Sequence, residues 1–400
     1  MVELFRTKRL EELLPKVKAF MEEEIYPIEL ELLKQPFSET HKKLRSLKPK
    51  VEALGCWNLY LSKEHGGAGM SLTEVAQLSE VIGSSFLGHY AFNIQAPDAG
   101  NIELLLDHGT PEMKEKYLEP LLRGESRSCF SMTEPHTAGS NPTLLATTAV
   151  REGDEYVING HKWFTTAADG ADFAIAMVVT NPEMENPYMR ASMIIVPTDT
   201  PGFNFVRNVP IMGHAGSGWM SHAEIKYENA RVPVSNRIGA EGAGFVLAQE
   251  RLGPGRIHHC MRWIGIAERS FEMMCKRAME REIGRGKVLG DKQMIQTWVA
   301  ESRAEIDAAR LMVLHTAYKI DHLGKRAAAQ DISAIKFFAS NVLHKVVNRA
   351  IQTHGALGIT DDTILSFFYR EERGASIYDG TDETHKASLA RKILKNYRKN

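Results

Sequence analysis

Over the first 125 residues apolar side chains recur every third or fourth position, the period of a helix with one buried face. The stretch "RLEELLPKVKAFMEEEIYPIELEL" reads this way, interrupted by Pro15 and Pro27. The stretches "ETHKKLRSLKPKVEALG" and "SLTEVAQLSEVIGSS" keep the same period. Between them "EHGGAGMSL" is a Gly-rich loop, and Ser71 is placed to cap the next helix. In "TPEMKEKYLEPLLRGE", Thr110 and Pro111 read as an N-cap followed by an N1 proline.

Near Ser126 the period changes. "EYVINGHKWFTTAADGADFAIAMVVT" sets Asn159-Gly160 between two β-prone runs, which predicts a hairpin there. "ASMIIVPTDTPGFNFV" and "HAEIKYENARVPVSN" continue the β texture, so residues 126–237 predict a small barrel or sandwich. From Gly242 the helical period returns. Ile295, Trp298, Val299, Ser302, Ile306, Ala309 and Val313 form one stripe, and Ile332, Ile335, Ala339, Val342, Val346 and Ala350 another. Long amphipathic helices of this kind predict a bundle. The order helical, β, helical is not the alternation of a dinucleotide-binding α/β fold. The expected domains are 1–125, 126–240 and 241–400.

Composition agrees with a globular chain: 43% hydrophobic and 25% charged residues over 400 positions, enough to build a sizeable core. The formal charge is −1, so no overall field draws the chain to nucleic acid or an anionic membrane. Cys56, Cys129, Cys260 and Cys275 form no CxxC pair and read as reduced, buried thiols. The N-terminal stretch has no apolar signal core and no run approaches a membrane span, so the expected place is the cytoplasm. No GxGxxG, P-loop, HExxH or GxSxG motif is present. His258 and His259 are adjacent, so on a helix they point about 100° apart; they read as structural or surface histidines and not as a metal pair.

Five segments stand in order: "CFSMTEPHTAGSN" (Cys129–Asn141), "YVINGHKWFTT" (Tyr156–Thr166), "GAEGAGF" (Gly239–Phe245), "QTHGALGIT" (Gln352–Thr360) and "IYDGTDETHKASLARKIL". Singly each is an ordinary loop, hairpin or helix end. In this order they resemble the acyl-CoA dehydrogenase family over nearly the whole chain. The resemblance implies an α+β multidomain fold with an N-terminal helical domain, a middle β-barrel-like domain and a C-terminal four-helix bundle. It also implies FAD between the β domain and the bundle, and a homotetramer or homodimer in which a neighbouring subunit completes the flavin site.

The resemblance carries residue roles. Phe130, Met132 and Thr133 match positions that contact the flavin ring, Phe164 the position where the family commonly has a stacked tryptophan, and Thr166 the hydroxyl that bonds flavin N5. Ser140 matches a position near the thioester and CoA arm. Arg281 matches an arginine that reaches the FAD diphosphate, with a fork suited to phosphate oxygens. The segment "REIGRGKVLGDKQ" lacks the usual phenylalanine and is longer by a residue, so Arg285 shares that candidacy. Gln293 matches a cofactor-contacting glutamine. Gln352, Gly355 and Gly358 match a loop against the diphosphate, and Thr381 and Glu383 positions on the adenosine half. Gly255, Arg256, Tyr378 and Gly380 are candidate substrate neighbours.

Most members carry glutamate just before the Gly-Thr of the last segment, where it takes the α-proton of the acyl-CoA. Here that residue is Asp379, shorter by one methylene. Some members place the base on the helix that starts near residue 250; aligned on Arg256, that position is Gly255, and Glu250 is out of register. A subset with the "RIHHCMR" signature (Arg256–Arg262) carries aspartate, and Asp379 is the expected base. The expected reaction is dehydrogenation of a saturated, long or branched acyl-CoA to the trans-2-enoyl-CoA, with an electron-transfer flavoprotein as acceptor and no nucleic-acid partner. The alternatives are a nitroalkane-oxidase-like flavoenzyme that uses Asp379, and an FAD-binding scaffold without catalysis.

Overall fold

The structure, a computed structural model, describes residues 5–398, and for 252–254 the backbone only. The chain forms two compact units. One takes the chain up to Gln35, Ser46–Phe92 and everything from Gly253 on; the other takes Pro36–Arg45 and Asn93–Leu252.

The first unit is helical. Lys8–Phe20 holds Pro15 inside an unbroken helix and buries Leu10, Leu14 and Val17. A π-helical turn, Met21–Ile25, then leads to Tyr26–Leu32, where Pro27 sits at the helix start. Ser71 caps Leu72–Ile82 in a capping box with Glu74. The free N–H groups of Leu72 and Thr73 donate to the Asp321 carboxylate at 2.9 Å, tying this helix to Gln293–Leu323. The expected stripes face the interior: Ile295, Ser302, Ile306, Ala309 and Val313 are buried and Trp298 and Val299 half-buried on Gln293–Leu323, and Ile332, Ile335, Ala339, Val342, Val346 and Ala350 are buried on Ala329–His354. Their faces pack because each alone would leave a greasy stripe in water. Polar ties cross the interior too. Arg310, nearly buried, pairs with Glu80 at 2.8 Å, and Lys336 Nζ donates to Asp382 Oδ1 at 3.0 Å.

The second unit is built on a sheet that, among the described residues, has eight strands. They are β1 (Ser128–Ser131), β2 (Thr148–Glu152), β3 (Glu155–Thr166), β4 (Phe173–Val179), β5 (Ala191–Pro197), β6 (Phe203–Asn208), β7 (His222–Pro233) and β8 (Arg237–Ile238). Their order is β6-β7-β3-β2-β4-β5-β8, with β1 parallel to β4. Alternate residues Tyr156, Ile158, Ala174, Ala176, Val178, Ala223, Ile225 and Tyr227 fill one core.

The hairpin expected at Asn159-Gly160 is not a turn. β3 runs straight through it, and the reversal lies earlier, at Gly153 and Asp154 between β2 and β3. A bulge falls between Ile158 and Gly160 against β7. Gly160 is needed for closeness: a Cβ there would lie 2.4 Å from Thr147 Oγ1. Asn159 turns its amide across the strands to Asn229. Among the described residues no helix is long and apolar enough to cross a membrane, and no cluster of side chains is arranged to hold a metal ion. The four thiols are free, with Cys275 only half-buried and the other three buried.

Candidate functional site

In the β-rich unit the chain after β1 bends through Met132, Thr133 and Glu134 and is tied to β3. The Trp163 N–H donates to the Thr133 carbonyl at 3.0 Å. The Ser131 and Thr165 hydroxyls are 3.3 Å apart. Lys162, wholly buried, donates from Nζ to the Met132 carbonyl at 2.8 Å and to Glu134 Oε1 at 2.9 Å. Glu134 also accepts from the Ala146 and Thr147 N–H groups. Burial pushes the Lys162 ammonium down to about 8, against the neighbouring Glu134 charge that holds its proton. On Glu134 burial acts the other way, but the Lys162 charge and the N–H donors outweigh it and keep the carboxyl below its usual range. Both therefore stay charged near neutrality, and the pair clamps the Met132 carbonyl. Lys162 was not singled out from sequence; its signal was a lysine at a position whose neighbours Ile158 and Tyr156 face the core.

That clamp sets the exposed side chains. Phe130 is half-buried under the Arg251 guanidinium, 4.1 Å from the ring centre. Met132 and Thr133 are half-buried. Phe164 adopts φ +48° and stays exposed, with its ring edge-on to Trp163 at 4.9 Å. Thr166 shares a 2.9 Å hydrogen bond with His222 Nδ1. Ser140 lies on an exposed turn. Glu250 pairs with His108 at 2.8 Å. An exposed aromatic face beside threonine hydroxyls and fixed main-chain carbonyls suits a flat ring system with heteroatoms at its rim.

In the helical unit Asp379 stands in the left-handed region at φ +56°, followed by Gly380 at φ +92°. A non-glycine residue pays about 1–2 kcal/mol for that backbone, so something must hold it. His385 Nε2 lies 3.0 Å from the Asp379 carbonyl, and Arg256 Nε donates to the same oxygen at 3.4 Å. A Cβ at Gly380 would meet His385 Nε2 at 2.9 Å, so glycine is required. Thr381 caps Asp382–Lys395, accepting from the Thr384 N–H. Asp382 is buried on Lys336 and Ser340, while Glu383 is exposed.

The Asp379 carboxylate is partly open, 18% exposed, and Oδ2 lies 3.2 Å from His259 Nε2. Of the two places expected for it, structural or surface, His259 therefore takes the structural one. Helical spacing carries the explanation: Arg256, His259 and Trp263 fall on one face at i, i+3 and i+7. The His259 ring lies 24° from parallel to Trp263 and meets Tyr378 at 5.3 Å. Trp263 Nε1 donates to Glu372 and to the Tyr378 hydroxyl, both at 2.9 Å. Arg262 pairs with Glu372 at 2.9 Å and donates to the Tyr378 hydroxyl at 2.8 Å. Tyr378 is thus committed to supporting its own loop. His258 faces elsewhere, 3.4 Å from Ser79 Oγ through Nδ1; burial pushes it down to about 4, so it is neutral. Burial, followed by the nearby Arg262, also pushes His89 well below the usual range.

Gly255 faces open space, with no atom within 4 Å of a Cβ built there among the described residues. Arg281 and Gln293 are exposed and flank the small hairpin of Glu282–Gly284 and Lys287–Val288, which also carries exposed Arg285. Gln352 is exposed near the end of Ala329–His354, and Gly355 terminates that helix at φ +65° with open space around it. Gly358 is instead packed on Ile351, where a Cβ would sit 2.5 Å from the carbonyl oxygen. The exposed guanidinium forks of Arg281 and Arg285 are donor chemistry that a diphosphate takes, whereas the Gly355 N–H is already given to the Gln352 and Ile351 carbonyls at the helix C-terminus.

Comparison with known proteins agrees over the whole length. Family models described as the N-terminal, middle and C-terminal domains of acyl-CoA dehydrogenase match residues 7–125, 129–230 and 242–394. The chain is 41% identical over 397 residues to "Acyl-CoA dehydrogenase family member 11" of Gallus gallus, covering 97% of this chain and 51% of that protein. It is 44% identical over 357 residues to "Probable acyl-CoA dehydrogenase FadE2" of Mycobacterium tuberculosis, covering 88% and 85%. The chain thus spans about half the length of the family member 11 relatives it matches. Among solved structures, a Mycobacterium abscessus protein provisionally named as an acyl-CoA dehydrogenase superposes with a TM-score of 0.92 at 38% identity, covering 98% of this chain and 99% of that one.

Proposed function

Because this chain belongs to the acyl-CoA dehydrogenase family, we propose that it is an FAD-dependent enzyme that oxidises a saturated acyl-CoA to the trans-2-enoyl-CoA, with Asp379 as the base. The expected segments 1–125, 126–240 and 241–400 are then the family's three domains. The observation that supports this reading most is Asp379 itself: a partly open carboxylate on a left-handed backbone, tethered through its carbonyl by Arg256 and His385. Unusual backbone held by its surroundings is what functional positions retain.

Bound FAD supplies the acceptor, at N5, for the hydride that leaves the substrate β-carbon. Phe130, Met132, Thr133, Phe164 and Thr166 would hold its ring. Arg281, Arg285, Gln293, Gln352, Gly355 and Gly358 would serve the diphosphate side, and Thr381 and Glu383 the adenosine. The chain's own step is at Asp379. The α C–H bond breaks, its proton passes to a carboxylate oxygen, and the electron pair of that bond becomes the new carbon–carbon π bond as the hydride departs. A carboxylate oxygen is a general base that needs no partner to activate it. Open space at Gly255 leaves room for a long or branched chain, with Ser140 near the CoA arm. Electrons then leave to an electron-transfer flavoprotein, and the working form is a homotetramer or homodimer.

The test is to mix FAD-loaded protein anaerobically with butyryl-, octanoyl-, palmitoyl- and isobutyryl-CoA and follow flavin absorbance. Bleaching by at least one of them is the expected outcome. No bleaching by any, with oxygen uptake on nitroethane instead, would replace this reading by that of a nitroalkane oxidase; no response to either would favour a scaffold.

A further inference from the structure

An aspartate base raises a geometric problem that the helical unit answers. One methylene removed shortens reach by about 1.5 Å, and a misplacement near 1 Å costs a base about a hundredfold in rate. Backbone alone does not aim a carboxylate: the two tethers from Arg256 and His385 act on the Asp379 carbonyl, leaving the side chain to rotate. The group that meets the carboxylate is His259, with Nε2 at 3.2 Å from Oδ2.

We propose that His259 is a positioning residue for Asp379, holding Oδ2 so that Oδ1 is the oxygen presented to the substrate. The inference rests on the reading of Asp379 as the base. His259 is itself fixed. Its ring lies against Trp263, only 24° from parallel, and against the edge of Tyr378. Those two rings are locked in turn by hydrogen bonds to the buried Glu372, which Arg262 pairs. The chain of contacts runs from a buried carboxylate, through two aromatic rings, to an imidazole and then to the functional oxygen. Every member is on the helix Gly244–Glu280, the helix Leu365–Glu372 or the Tyr378–Asp379 segment. Imidazole suits the task better than guanidinium. It gives one hydrogen bond through a single N–H, so it engages Oδ2 alone, where a guanidinium fork would take both carboxylate oxygens.

The experiment uses FAD-loaded wild type and the variants His259→Gln, His259→Leu and Asp379→Asn, reduced anaerobically with octanoyl-CoA and with its α-deuterated form. Glutamine keeps an N–H donor at similar reach; leucine removes it. We expect His259→Leu to slow the limiting rate of flavin reduction about 10- to 100-fold, as a misplaced base would. The half-saturating octanoyl-CoA concentration should change little and the α-deuterium isotope effect should rise. His259→Gln should recover most of the rate. A histidine that only fills space would change melting temperature, not the isotope effect. If His259→Leu folds, binds FAD and reduces with the wild-type rate and isotope effect while Asp379→Asn does not reduce, the positioning role is wrong and Asp379 stands. If His259→Leu does not hold FAD, His259→Gln decides alone: a glutamine variant that is folded yet as slow as Asp379→Asn contradicts the proposal. If Asp379→Asn still reduces flavin, the base is elsewhere and both readings fall.

Discussion

The turn through Met132–Glu134 and the segment Tyr378–Gly380 are both short, irregular stretches held by polar side chains, but they are held at different places. In the β-rich unit Lys162 and Glu134 grip the main chain, fixing the Met132 carbonyl and leaving the side chains half-open. In the helical unit the main chain is gripped too, by Arg256 and His385, yet a further contact reaches the side chain itself, His259 on the Asp379 carboxylate. Holding a backbone suffices where a stretch offers hydrogen bonds and a surface to a cofactor. As the base proposed above, Asp379 needs its own atoms aimed as well.

Several experiments would break or sharpen that contrast. The largest effects belong to the buried pairs. Lys162→Met strands Glu134, and Lys336→Met strands Asp382; each should destabilise by about 3–5 kcal/mol, because an unpaired buried charge is left behind. Denaturant unfolding of FAD-loaded protein should show both, with the first variant also losing FAD more readily. A smaller change is expected from Asp379→Glu. The longer carboxylate no longer fits between His259 and the strained backbone, and flavin reduction by octanoyl-CoA should slow about 10- to 100-fold. A faster variant would show that the tether does not set the reach. The smallest effect is a pH dependence. Glu134 is held below its unfolded value of 4.5, so the stability it contributes is present above that value and is lost as pH falls through the lower folded one. Melting curves in acid should therefore drop more for wild type than for Glu134→Gln.

Legibility in the sequence followed local rules. The stripes on Gln293–Leu323 and Ala329–His354, the Ser71 cap and the Thr110-Pro111 helix start are all consequences of nearest neighbours along the chain, and the structure has them. Asn159-Gly160 failed because the same dipeptide serves two purposes. It can make a turn, but here glycine lets Thr147 come close across a bulge. The contact of His259 with Asp379 was not legible because the two lie 120 residues apart, and no periodicity reports a contact at that separation. The face-sharing of His259 with Arg256 and Trp263 was readable; that the Asp379 segment would meet this face was not. The helix Phe37–Arg45 shows the same limit, since it belongs to the β-rich unit although its neighbours in sequence belong to the helical one.

The most direct measurement is the rate of anaerobic flavin reduction by octanoyl-CoA in wild type and in Asp379→Asn, both loaded with FAD. Asparagine keeps the size and removes the basicity. The account predicts reduction in wild type and a loss of at least about 10²- to 10⁴-fold in the variant, the contribution of a positioned base. Equal rates in the two proteins would contradict it.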